Sequence, residues 1–222
     1  MEVSVNKLKN NFKKLKYFSL LATLIFFFIL VSAISYVNAV SDNLSDSVFR
    51  LHVIANSNSE EDQNLKYIVR DKIIEHVNEL GKNAKSKEEL IKNINLDEIN
   101  NIAKQTIIEN GYNYDVSVEI GNFSFPTKTY GDISLPAGFY DALRVKIGKA
   151  EGQNWWCVMF PPLCFVDISS GIVPTESKEN LKENLDSEEY NLISDNESED
   201  IKLKFKIVEM LQNIGIAISS NK

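Results

Sequence analysis

The sequence predicts an α+β domain with a mainly antiparallel sheet and packed helices, preceded by an N-terminal signal peptide or membrane-anchor helix. Three observations predict it. A lysine-rich start runs into a long uncharged apolar stretch. Behind it, one short apolar strand gives way to segments whose apolar residues recur at three- and four-residue spacing. Beyond residue 115 the pattern changes to alternation, the period of a half-buried strand. Strands grouped apart from helices, rather than interleaved with them one for one, point to α+β.

Residues 1–16 hold five lysines against one acid, Glu2, and no charge follows from Tyr17 to Ser41. A basic flank before an apolar run is what the export machinery inserts, and the lysines stay inside while the rest crosses. Val37-Asn38-Ala39 offers small residues for a cut after Ala39. A cleaved signal usually has an apolar core of about 7–15 residues and a span needs about 20; this run falls between, so a removed leader and a retained anchor both stand. The expected organisation is leader 1–39, polar linker 40–47, one extracytoplasmic domain 48–215 and a tail 216–222. The whole chain carries −7, and the net +4 of residues 1–16 leaves −11 for the remainder. A domain of that charge has no electrostatic footprint for phosphates, which excludes nucleic acid as a partner.

Val48–Asn56 reads as a strand, too apolar to have a solvated side. Ser57 with Glu60 forms a capping-box pattern before a helix from about Ser59 to Leu80, whose apolar stripe is Leu65, Ile68, Val69, Ile73, Val77 and Leu80. Ser86 with Glu89 opens a shorter helix to Ile94, and Asn95 with Glu98 another, closing near Gly111. Val116, Val118 and Ile120 alternate with polar neighbours, and a second strand is expected near Phe123–Thr129. Ala142–Ile147 is the next strand, and Gly148 and Gly152 bracket a hairpin loop to Trp155–Phe160. Helices are expected at Ser177–Leu185, Ser187–Ile193 and Asp200–Asn213, the last with Ile201, Phe205, Val208 and Leu211 on one face.

Chemistry-bearing patterns are sparse. Cys157 and Cys164 are spaced C-x6-C, unlike any zinc motif, and His52 and His76 are the two histidines, so no metal site is expected. Neither a P-loop, a dinucleotide fingerprint nor a nucleophile elbow is present, so no cofactor and no catalytic residues are assigned. With a two-residue turn at Pro161-Pro162 the cysteines would lie diagonally, about 7–8 Å apart, beyond comfortable disulfide reach. A wider loop allows the bond, which would add about 2–2.5 kcal/mol in the chain-entropy model; bonded and free thiols both stand. Asn154–Asp167 is dense in aromatic, aliphatic and sulfur residues. It reads either as core or as a docking surface, because exposed apolar patches mark interactions and Trp is favoured at their centres.

Arg50-Leu51-His52-Val53-Ile54-Ala55-Asn56-Ser57 with Glu61-Asp62-Gln63 and Val69-Arg70-Asp71, then Leu135-Pro136-Ala137-Gly138, Ala142-Leu143-Arg144-Val145 and the Asn154–Asp167 block, resembles the stage II sporulation protein R family across about residues 48–213. Glu60 stands where that family often has proline, and Ala150 interrupts a glycine-rich approach to the tryptophans. The resemblance implies a signalling protein made in the forespore and exported to the space between forespore and mother cell. There it triggers a membrane-embedded aspartic protease that processes the sigma-E precursor, without catalysis of its own. Trp155, Trp156, Phe160, Pro161 and Pro162 are the inferred partner-binding residues, with Arg50 and His52 beside them. The rival classes are an exported envelope hydrolase and an envelope-binding module.

Overall fold

The computed structural model describes residues 2–164, 173 and 175–194. In chain order the elements are α1 (Glu2–Ser47), β1 (Phe49–Ile54), α2 (Glu60–Gly81), α3 (Lys87–Asn93), α4 (Leu96–Glu109), β2 (Val116–Phe125), β3 (Lys128–Tyr130), β4 (Ile133–Leu135), β5 (Gly138–Ile147), β6 (Asn154–Phe160), α5 (Thr175–Asn184) and α6 (Ser187–Ser194). The expected helix at Asp200–Asn213, and the end of the domain at 215, lie outside the described residues.

Two units divide the chain, residues 1–40 and 41–222. In the first, α1 presents Phe18, Leu21, Phe26, Phe28 and Val31 more than half exposed. Among the described residues no helix is long and apolar enough to cross a membrane. The stretch read as a linker is the end of α1: Leu44 is fully buried with Val48 against the domain. One leucine among polar residues was enough to dock that turn.

The second unit is a mixed α/β domain. Its main sheet has the order β2-β5-β1-β6. The outer pairs, β2–β5 and β1–β6, are antiparallel, and the central pair, β1–β5, is parallel. The sheet is thus mainly antiparallel, as the sequence predicts. Both faces of β1 are covered, so that even Arg50 and His52 are buried. Phe49, Leu51 and Val53 pack with Leu65, Val69, Ile73 and Val77 of α2 and with Ile99, Ala103 and Ile107 of α4. The opposite face carries a second apolar cluster, including Tyr130, Ile133, Leu135, Tyr140, Val158, Leu181 and Ile193.

Four expectations are corrected. β5 and β6 are not a hairpin, because β1 lies between them and the loop 148–153 passes over the end of β1. Glu151 N–H donates to Asn56 O at 3.2 Å and Gly152 N–H to Ala55 O at 2.9 Å, fixing that crossing. The alternation at Val116–Ile120 runs on unbroken to Phe125, since Gly121 faces the small Ala142 and interrupts nothing. Residues 128–135 instead form their own pair, β3–β4. Ser59, not Ser57, caps α2, accepting from Asp62 N–H at 3.2 Å; Ser57 Oγ is already committed to the Asp62 carboxylate. On α2 itself Ile68 is 40 % exposed and Ile74 takes its place in the core.

Candidate functional site

Alternation along β1 sends Leu51 and Val53 toward the helices and Arg50 and His52 to the other face. The sheet register then aligns one row across all four strands: Glu119 of β2, Arg144 of β5, His52 of β1 and Trp156 of β6. The His52 and Trp156 rings stack with centroids 3.7 Å apart and planes 19° from parallel. The Arg144 guanidinium lies 3.8 Å from the Phe123 ring centroid and donates through Nε to Glu119 Oε1 at 2.9 Å. Lys146 meets the same carboxylate at 2.8 Å. Hydrogen bonds from Lys146 and Arg144 hold Glu119 below the ordinary carboxylate range.

With Asn154 Oδ1 as acceptor at 2.7 Å, His52 Nε2 carries the ring proton, and among the described residues Nδ1 has no partner. Burial lowers the His52 pKa to about 4, reinforced by Arg144, Lys146 and Arg50 and opposed by the Asn154 bond. The ring is therefore neutral at neutral pH. An unfolded histidine binds its proton near 6.5, so between 6.5 and 4 the unfolded chain holds the extra proton and stability falls as pH falls. The expected loss is about 2 kcal/mol, less than the full shift implies because water penetration and relaxation around the ring screen part of it. Urea titrations at pH 7 and pH 4.5 measure it, and His52→Gln is expected to flatten the difference.

The next row inward is closed. Arg50 has no exposure, and its guanidinium lies 4.1 Å from the Phe125 centroid and 4.8 Å from that of Tyr140. Nη2 donates to the Tyr130 hydroxyl at 2.9 Å, and that hydroxyl donates to Trp156 O at 3.1 Å. Burial pushes the Tyr130 phenol up, although Arg50 pulls the other way.

The residues singled out in the sequence fall into three places. His52 and Trp156 are together on the face opposite α2 and α4, His52 buried and Trp156 half-buried. Trp155, one residue earlier on the strand, points to the helix side, where Arg70 stacks on it at 4.2 Å and Tyr67 meets it edge-on at 5.5 Å. Phe160, Pro161 and Pro162 line an 830 Å³ cleft with Val77, Gly81 and Leu90 on one wall and Asn180 on the other. Arg50 belongs to the interior. Cys157 and Cys164 are joined as a disulfide with Cα atoms 5.4 Å apart; Leu163 N–H reaches back to Val158 O at 3.0 Å around residues 159–162, the wider loop that the bond requires. Sequence reasoning missed Arg144, Lys146, Glu119, Phe123 and Asn154. Their signal was the alternating charge in Leu143–Ile147, which says one face is polar but not which strands flank it.

The Asn56-Ser57 and Asp62-Gln63 motif is a clamp. Asn56 Nδ2 and Ser57 Oγ both donate to Asp62 Oδ2, at 2.7 and 2.6 Å. Asn56 Oδ1 accepts from Lys149 N–H at 3.0 Å, tying the start of α2 to the crossing loop. Burial raises the Asp62 pKa, but hydrogen bonds from Ser57, Asn56 and Tyr114 outweigh it and hold the carboxyl below its ordinary range.

These residues lie within a match to the family model described as stage II sporulation protein R, which covers residues 45–170. The chain belongs to the stage II sporulation protein R family. A role in sporulation goes with that membership. Stage II sporulation protein R of Bacillus subtilis (strain 168) is 38% identical over 172 residues, covering 77% of this chain and 74% of that protein. No solved structure matches. The match takes in the whole main sheet, so both the His52–Trp156 row and the Asn56–Asp62 clamp sit inside the family region.

Proposed function

We propose that this chain is an exported sporulation signal. It is made in the forespore and carried by its N-terminal segment into the space between forespore and mother cell. There it binds the outer side of a membrane-embedded aspartic protease, so that the protease processes the sigma-E precursor. The observation that carries the reading is family membership over residues 45–170, joined to a folded unit that begins at Ser41 behind an apolar helix. A helix with exposed apolar side chains all round is at home in lipid, not in water. A cut after Ala39 would leave that folded unit whole.

The activator works by binding the active state of the protease more tightly than the inactive one, and the difference is the coupling. Of the two tryptophans, both half-buried, Trp156 is the contact residue in this reading, since it ends the row that runs from Glu119 through Arg144 and His52, while Trp155 packs on Arg70 and Tyr67. The test is co-expression of the full chain, the protease and the sigma precursor in a non-sporulating host. Cleavage is expected only with all three present. Trp156→Ala is expected to abolish it while the protein accumulates to normal levels. Cleavage that proceeds without this chain, or equally well with the variant, overturns the proposal.

A further inference from the structure

The two edges of the main sheet are not alike. On β6 the outward carbonyls are taken: Trp156 O accepts from the Tyr130 hydroxyl and Val158 O from Leu163 N–H. On β2 they are not. Gly148 N–H donates to Asp115 O, which makes 115–148 a bonded pair. Antiparallel alternation then turns the N–H and C=O groups of Val118, Ile120, Asn122 and Ser124 away from β5. Among the described residues none of these groups has a hydrogen-bond partner, and the nearest capped group is Val116 O, which accepts from Asn100 Nδ2 at 3.3 Å. A long uncapped edge is a template for another strand.

We infer that this edge pairs with β2 of a second copy of the chain, in antiparallel register centred on Gly121, joining two sheets into one. The four outward residues are symmetric about Gly121, and no other centre uses all of them. Val118 then faces Ser124 of the second copy, and Ile120 faces Asn122, with two hydrogen bonds per facing pair. The residue on the two-fold axis is the one without a side chain, and the Phe123 ring fills the space a Cβ would take, 2.9 Å from it, a flexible neighbour that can turn aside. On the open face Glu119 comes opposite Phe123 of the second copy, the ring that carries Arg144. Each copy sets Arg144 and Lys146 against a single Glu119, so an incoming carboxylate from the other copy meets surplus positive charge. A foreign strand has no reason to match this length and centre, whereas the chain matches itself. The pairing stands or falls independently of the protease.

The test uses the full chain in mild detergent. Gly121→Cys places its thiol opposite itself across a non-bonded pair, about 4.5–5.5 Å between Cα atoms, within disulfide range. Ser117→Cys puts the two thiols about 26 Å apart at 3.3 Å per residue. Oxidation is expected to give a covalent dimer with the first variant and monomer with the second, since the native cysteines are already paired. Hydrogen exchange on the unmodified chain covers the case in which Gly121→Cys misfolds. The amides of Val118, Ile120, Asn122 and Ser124 are expected to slow about tenfold as protein concentration rises a hundredfold. Equal cross-linking at both positions, or exchange at those amides that ignores concentration, overturns the inference.

Discussion

Arg50→Ala is expected to destabilise the domain by about 3–5 kcal/mol, measured by urea unfolding, and to free the β3–β4 pair from the sheet. Arg50 heads the largest fully buried side chains. Among the described residues no carboxylate stands against it, and its Nε and Nη1 have no hydrogen-bond partner. What holds the charge is the pair of ring faces, Phe125 and Tyr140, each worth up to about 2 kcal/mol when desolvated, together with the Tyr130 hydroxyl. Alanine removes the guanidinium and leaves a cavity under Tyr130, whose hydroxyl keeps only Trp156 O. Arg50→Met separates shape from charge. It refills the volume and removes the desolvation penalty, so it is expected to stay within about 1.5 kcal/mol of wild type. If alanine costs under about 1 kcal/mol, Arg50 does not organise this face. If methionine costs as much as alanine, the cation itself is the tie.

Much of this architecture was legible in the chain, for identifiable reasons. The helices declared themselves through period and caps: Ser86 and Asn95 cap α3 and α4 as read. β1 had to be central because Val48–Asn56 leaves no side for water, and the sheet gives it two neighbours. What could not be read was which neighbours. A glycine-flanked loop between two apolar strands has the same sequence signature whether it closes a hairpin or straddles a third strand. The candidate site suffered most from this. Trp155 and Trp156 are adjacent in sequence and so were grouped as one surface, yet strand alternation alone puts them on opposite faces. The polar row Glu119–Arg144–His52–Trp156 is assembled from four segments spread over residues 52–156, and only register brings it together. The buried Arg50 was offered as a contact residue because charge usually means surface; its aromatic neighbours arrive from β2, β3 and β5, far along the chain.

Gly152→Ala is expected to be as damaging as the loss of Arg50, about 3 kcal/mol or more. An alanine Cβ there would sit 2.7 Å from the Ser57 carbonyl carbon, nearer still to its oxygen, and 2.8 Å from Ala55 Cβ. A flexible side chain can swing away from such a contact, but a backbone carbonyl held at both ends does not. Ser57 O accepts from Gln63 Nε2 at 2.7 Å, and Gln63 Oε1 in turn accepts from the buried Lys66 at 2.5 Å. Moving the carbonyl therefore disturbs the start of α2 and the Asp62 clamp together. The alternative is for the loop to lift off the end of β1, giving up the Gly152–Ala55 hydrogen bond and shifting β6 two residues later. Gly111→Ala is the control. Gly111 also has an unusual backbone, with φ of +87°, but nothing lies within 4 Å of the added carbon, so about 1–2 kcal/mol of strain is all it can cost. Thermal melts of the two variants side by side decide the matter. A Gly152→Ala protein that melts no lower than Gly111→Ala would mean that the loop crosses β1 with room to spare, and that the clamp around Asn56 does not set the position of β6.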